Sequence, residues 1–236
     1  MLRVRNLQTG YNDFQLYANF VVRERSLVAI VGPSGSGKTT LLNTIAGFMP
    51  VSVGEVEWKE ESITNVSPGK RPVSVLFQDH NLFPHLSVEK NVAIGLKANL
   101  KLNSSEQDQV FEAIRKVGLE KYITKKPSEL SGGQKTRIAL ARAMIRCKPL
   151  LLLDEAFLGL GPALRLEMLA LIMDFVHEEK MTLLMVSHDI NDALKLNQKI
   201  IFIHDGQVIG PMDIAEFLCS SDLKFREYLG DCKKKV

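Results

Sequence analysis

Cysteine is scarce in this chain. Cys147, Cys219 and Cys232 are the only three in 236 residues, and they are scattered and lack CxxC spacing. An odd, dispersed set excludes a disulfide framework or a cysteine metal centre and fits free or buried thiols in a reducing compartment. Excess charge of one sign is missing too: 30 Lys and Arg against 27 Asp and Glu leave a net +3. That is too little to make nucleic acid the main partner. Long apolar runs are absent. Leu150 to Leu153 is among the longest and far too short to span a bilayer, so any link to a membrane is expected to come through another protein. At the N-terminus Leu2 and Val4 alternate with Arg3 and Arg5, the pattern of an exposed strand and not of a signal peptide. Lys233-Lys234-Lys235 reads as a frayed, solvated end in preference to a lipid contact. No repeat or low-complexity tract interrupts the chain. Its 45% hydrophobic and 24% charged content describes an ordinary globule, with length for one large domain or two small ones.

What is present is more specific. Gly32-Pro33-Ser34-Gly35-Ser36-Gly37-Lys38-Thr39 has the form GxxxxGK[ST] of a phosphate cradle. The continuous apolar run of residues 26–31 precedes it, as a strand buried on both faces should. Residues 39–46 follow as a helix with Leu41, Leu42 and Ile45 inward and Gly47 as its stop. Strand, glycine loop, helix is the order that aims successive backbone N–H groups and a helix N-terminus at a phosphate. Lys38 then meets the phosphates, and the hydroxyls of Thr39 and Thr40 lie at the start of the helix.

Three zones can be told apart. The first is strand-rich, with strands expected at 2–7, 14–23, 26–31, 55–58 and 73–77, separated by turn signals such as Asn12-Asp13 and Ser67-Pro68-Gly69. The middle zone, residues 78–147, is helical. Ser87 opens one helix and Ser104-Ser105 another, with Val110, Phe111, Ile114 and Val117 at helical spacing before Gly118. A third helix runs over 133–146. The last zone alternates strands at 150–153 and 182–186 with a helix from Pro162 to about Glu179, and ends in a hairpin about Asp205-Gly206. Alternation of this kind implies an α/β fold with a mostly parallel core sheet, an antiparallel N-terminal part and the middle helices inserted beside it.

Leu150-Leu151-Leu152-Leu153-Asp154-Glu155 puts two acids at the C-terminal end of a buried strand, where open parallel sheets bind ligands. Asp154 suits a Mg²⁺ site to which Thr39 supplies a hydroxyl. Glu155 suits the base that orients or deprotonates an attacking water. His188, in Val186-Ser187-His188-Asp189, follows the next apolar strand and is a candidate for gripping the γ-phosphate. The other histidines form no cluster with ligand spacing.

Leu130-Ser131-Gly132-Gly133-Gln134 resembles the signature loop of the ATP-binding-cassette (ABC) family, and with the phosphate loop it makes the resemblance full-length. The resemblance implies a P-loop ATPase of one domain over 1–236, with residues 78–147 as its inserted helical subdomain. It implies a homodimer in which Leu130, Ser131, Gly132, Gly133 and Gln134 of one subunit close over the nucleotide of the other. It also implies that Tyr11 stacks on adenine, that Gln78 senses Mg²⁺ and contacts the membrane partner, and that His188 is the switch histidine. Residues 71–78 and 81–87 look like importer ATPases for small solutes. With Leu100-Lys101-Leu102-Asn103 and residues 180–188, they are similar to the ATP-binding subunits of thiamine importers of Gram-negative bacteria. The implied partners are a transmembrane permease and, indirectly, a periplasmic solute-binding protein, and the implied place is the cytoplasmic face of the inner membrane. The C-terminal regulatory domain of related sugar importers is not expected here.

One segment departs from the family pattern. Relatives read Pro-Phe-Ser-Ala-Leu-Asp-Pro after the acids, whereas this chain reads Ala156-Phe157-Leu158-Gly159-Leu160-Gly161-Pro162. Gly161 caps the helix begun by Pro162 nearly as well as Asp does, but the missing carboxylate puts cooperation between two sites in question. Three other readings compete. A soluble ABC protein of translation or DNA repair usually carries two cassettes or long coiled coils. A phosphate-loop kinase has no use for the signature loop. A binding scaffold without turnover is argued against by Glu155 and His188.

Overall fold

The structure, a computed structural model, describes residues 1–187, 190–196 and 199–233. In chain order it begins with β1 (Leu2–Tyr11), β2 (Phe14–Val22) and β3 (Leu27–Val31), then helix α1 (Lys38–Ala46). Strands β4 (Val53–Trp58), β5 (Glu61–Ser62) and β6 (Val73–Leu76) follow, then α2 (Val88–Ala93), α3 (Ser104–Lys116) and α4 (Gly132–Ile145). Next come β7 (Leu150–Asp154), α5 (Pro162–Glu178), β8 (Thr182–Val186) and α6 (Ile190–Leu196). The described part closes with β9 (Lys199–His204), β10 (Gln207–Asp213), α7 (Ile214–Cys219) and α8 (Leu223–Lys233). The chain forms two compact units, Met1–Val73 with Met181–Val236, and Ser74–Lys180.

The first unit is built on a sheet in the order β5-β4-β1-β2-β10-β9-β3-β8. Its β3 is parallel to both β8 and β9, as its unbroken apolar run requires, and every residue from Val28 to Val31 is buried. Strands β1, β2 and β4 pair antiparallel. Their alternating burial leaves one face wet, as in β2, where Leu16, Ala18, Phe20 and Val22 are inward. The hairpin at Asp205-Gly206 joins β9 to β10 with His204 opposite Gln207. The last strand runs on to Asp213, longer than its sequence suggests. Phe202, Phe217, Phe225 and Tyr228 form an aromatic cluster that seats α7 and α8.

In the second unit α2 and α3 lie against α4. Ser87 caps α2 as expected, accepting from Lys90 N–H. For α3 the cap is Asn103, one residue before the expected serines, in a capping box with Glu106. Val110, Ala113 and Ile114 are buried, but Phe111 points out and is half-exposed. The apolar residues of this window form a wider stripe than the helix buries. The signature helix begins at Gly132, not Gly133. Strand β7 is buried along its whole length, and α5 starts from Gly161 as cap with Pro162 at its first turn.

Candidate functional site

The loop between β3 and α1 is held by its own backbone and by the hairpin beside it. Gly37 caps α1 at φ 108°, a left-handed angle that an L-residue reaches only with strain. A Cβ there would also stand 2.7 Å from both Leu16 Cδ1 and Phe14 Cζ, so the β1–β2 hairpin leaves room for hydrogen only. The same hairpin ends in Tyr11 paired with Phe14, and Tyr11 is 72% exposed. Its ring is thus presented to solvent from the hairpin that touches the phosphate loop. Gly32 is buried, while Pro33, Ser34 and Gly35 are exposed.

Lys38 is buried, yet its ammonium donates to Gly32 O at 2.9 Å and Pro33 O at 2.7 Å. Those bonds keep a buried cation solvated by the loop and hold it at the mouth of the cradle. Ser36 Oγ is buried with no hydrogen-bond partner among the described residues, an orphaned polar atom of the kind a ligand oxygen satisfies. Thr39 is exposed at the start of α1, and Thr40 O receives the Thr44 hydroxyl at 2.8 Å.

The far end of α1 has an anchor that composition did not reveal. Arg71 is 2% exposed. Its Nη1 donates to Thr44 O at 2.9 Å and Ile45 O at 2.7 Å, Nε to Val66 O at 2.8 Å, and Nη2 to Thr64 O at 2.6 Å. A guanidinium against the last carbonyls of a helix opposes its dipole and satisfies acceptors that have no helical partner. Gly47 makes room for it, because a Cβ there would lie 2.5 Å from Arg71 Nε.

In the second unit Asp154 ends β7 and is nearly buried. Glu155 follows at φ 48°, and its carbonyl accepts from Leu158 N–H at 3.0 Å. Gln78 is exposed two residues beyond β6. Leu158 is 57% exposed, and a Cβ on Gly161 would meet nothing within 4 Å.

The signature residues form a closed capping box. Ser131 Oγ accepts from Gln134 N–H at 3.3 Å, while Gln134 Oε1 accepts from Ser131 N–H at 2.9 Å. The spacing of Ser and Gln three apart carried that signal in the sequence. Leu130 is buried below, and Ser131 and Gly132 are exposed. Arg137 ties this helix to its neighbours, donating to Val117 O at 2.8 Å and to Glu167 at 2.6 Å.

Of the remaining candidates, His188 lies outside the described residues. Its predecessor Ser187 directly follows β8 and donates to Asp192 Oδ2 at 2.7 Å. Among the described residues no three His, Cys, Asp or Glu gather as a metal site. The expected donors Thr39, Gln78 and Asp154 carry a hydroxyl, an amide oxygen and a carboxylate, oxygen ligands of the type Mg²⁺ takes. No helix among the described residues is long and apolar enough to cross a membrane.

The chain resembles known proteins in both sequence and fold. Residues 17–158 match the family model described as ABC transporter. The thiamine import ATP-binding protein ThiQ of Ruegeria sp. (strain TM1040) is 46% identical over 230 residues, covering 98% of this chain and 100% of that protein. The protein of that name from Photobacterium profundum is 48% identical over 195 residues, 82% of this chain and 81% of that one. Among solved structures, a post-hydrolysis dimer of the ATP-binding cassette MJ0796 bound to ADP and Pi superposes with a TM-score of 0.80 at 28% identity, over 91% of this chain and 99% of that one. The ADP conformation of the cassette MJ1267 gives 0.84 at 25%, over 97% and 98%. With a family match across more than half its length and a relative 46% identical over 98% of the chain, the chain belongs to the ABC transporter family.

Proposed function

We propose that this chain is the ATP-hydrolysing subunit of an importer of thiamine and its phosphates, working as a homodimer. The observation that carries the reading is the 46% identity to a thiamine import ATP-binding protein along the whole of that protein. The phosphate loop and the capped signature loop, both intact, support turnover. The partners are a transmembrane permease and, through it, a periplasmic solute-binding protein. The chain sits peripherally on the cytoplasmic face of the inner membrane, and nucleic acid is not a partner. Residues 78–147 are the inserted helical subdomain of a single ATPase domain.

Each side chain then has a task. Residues Gly32 to Gly37 wrap the phosphates with backbone N–H groups, and Lys38 exchanges its two loop carbonyls for β- and γ-phosphate oxygens. Ser36 Oγ–H finds its acceptor there as well. Tyr11 offers a ring face to adenine. Thr39, Gln78 and Asp154 would hold Mg²⁺, with Asp154 acting through water. When bound there, Mg²⁺ would supply neutralisation of phosphate charge. Glu155 takes the proton of the attacking water as its oxygen bonds to the γ-phosphorus and the bond to the β-phosphate oxygen breaks. His188 steadies the γ-phosphate. Ser131 and Gly133, with Gly132 and Gln134, meet the γ-phosphate held by the other subunit.

Deleting the chain should abolish concentrative uptake of labelled thiamine at low external concentration and leave sugar and amino-acid uptake intact. Uptake should return with the wild-type subunit and fail with Glu155→Gln. Normal thiamine accumulation in the deletion strain, with loss of another solute such as iron or a polyamine, would overturn the substrate.

A further inference from the structure

Between Gln78 and the signature helix lies a small polar cluster that the functional reading above does not use. His80 and Asn81 both take left-handed backbone angles, φ 57° and 46°, an unfavourable pair for residues other than glycine. Arg142 on α4 holds that turn, its Nη2 donating to His80 O at 2.6 Å and its Nη1 to Asn81 O at 2.8 Å. The His80 side chain meets α4 as well, with Nε2 2.8 Å from Thr136 Oγ1. Thr136 is fully buried, and its hydroxyl donates to Gly132 O at 3.1 Å.

The Thr136 hydroxyl therefore stands between two partners, His80 Nε2 at 2.8 Å and Gly132 O at 3.1 Å. A neutral imidazole bonds it in either tautomer, donating from Nε2–H or accepting at Nε2. In both cases Thr136 links His80 to the start of α4. Gly132 is the first residue of α4, directly after Ser131. The turn following Gln78 is thus joined to α4 at two levels, to the start of the helix by the His80–Thr136–Gly132 bridge and to its last turn by the Arg142 clamp.

We propose that His80 is a positioning residue that, through Thr136, locks the turn after Gln78 to the first turn of α4 and so holds Ser131 to Gln134 in the register that hydrolysis requires. The inference rests on the reading that these four residues act on a nucleotide. Burial favours the neutral imidazole needed here, pushing its pKa below the ordinary value, with Lys135 and Arg142 adding to the depression and Asp79 opposing it. Neutrality matters because a second charge would stand beside the Arg142 guanidinium.

The test uses the full chain and its ATPase kinetics. His80→Ala and Thr136→Val should each lower kcat roughly fivefold and leave KM for ATP within about twofold, since nucleotide contacts are untouched. The double variant should fall no further than either single one, the mark of two groups in one bridge. His80→Gln, whose amide N–H2 can reach the Thr136 oxygen, should restore most of the loss. Hydrogen exchange at the Gly133 and Gln134 amides should rise in His80→Ala and return to normal in His80→Gln. Unchanged kcat in His80→Ala, a lowered melting temperature without a kcat effect, or losses that multiply in the double variant would each overturn the proposal. Ser131→Arg separates the two readings. If it stops turnover while His80→Ala does not, only the present proposal fails; if turnover survives it, the role of the signature loop fails first.

Discussion

Replacing Arg71 by Met keeps the unbranched apolar stem but strips every donor from a buried site. Four carbonyls lose the guanidinium bond: Thr44 O, Ile45 O, Thr64 O and Val66 O. Thr44 O keeps the Gly47 N–H at 3.1 Å, so three are stranded. Each stranded acceptor costs roughly 1–3 kcal/mol. The lower part of that range applies, because removing the guanidinium also removes the expense of burying it. Three at about 1–1.5 kcal/mol give about 3–4.5 kcal/mol. For a chain of this size each kcal/mol shifts the melting temperature by about 2–4 °C, so Arg71→Met should melt roughly 6–18 °C below the wild type. Arg71→Lys should fall between them, since one ammonium cannot reach carbonyls spread around a planar fork. Thermal and urea unfolding followed by circular dichroism would measure both. A loss under about 1 kcal/mol for Arg71→Met, or a lysine variant equal to the wild type, would refute the idea that the guanidinium anchors α1.

Other expectations follow from the same geometry. Glu155→Gln should bind ATP, stall hydrolysis and accumulate an ATP-dependent dimer on sizing by light scattering, whereas normal turnover would remove Glu155 as the base; adding Ser131→Arg should abolish that dimer without weakening nucleotide binding to the monomer. Gly161→Asp should fold as well as the wild type, because a Cβ there meets nothing within 4 Å and Asp caps a helix at least as well as Gly; ATPase cooperativity should stay or rise, and a large fall would point to a contact built around Leu158. Because the folded pKa of His80 lies below its ordinary 6.5, the unfolded chain takes up that proton first as pH falls. Stability from this group is therefore complete above about pH 6.5 and is lost as pH drops through the folded pKa. Urea titrations of wild type and His80→Gln should diverge below about pH 6.5, with the wild type losing more; parallel curves would refute it.

The parts of this molecule written in contiguous residues are readable from its sequence. Strand, glycine loop and helix appear at the expected places, and the four leucines before Asp154 form the fully buried β7. The Ser131–Gln134 box follows from a three-residue spacing that any helix start can impose. What escapes depends on distant partners. Arg71 reads as a charge flanking a strand, and nothing local says that carbonyls 26 and 27 residues earlier await it. His80 meets Thr136 across 56 residues, a pairing no periodicity encodes. Phe111 fits a helical stripe, but only the stripe's width in the packed unit decides which of its edges stays wet. Helices α7 and α8 go unseen in the sequence because their burial rests on an aromatic cluster with Phe202, not on a pattern of their own.

Glu155 occupies a backbone well that suits glycine or asparagine, at φ 48°. An L-residue with a long side chain gives up about 1–2 kcal/mol to stay there. Selection for stability alone would therefore favour Glu155→Gly or Glu155→Asn. Both should raise the melting temperature while ending ATP turnover, a trade of robustness against chemistry. The base role proposed for Glu155 gives a reason for this chain to keep a strained carboxylate on that turn. It also makes residue 155 a poor choice for stabilising substitutions and a good one for a hardened, nucleotide-binding but silent form of the subunit.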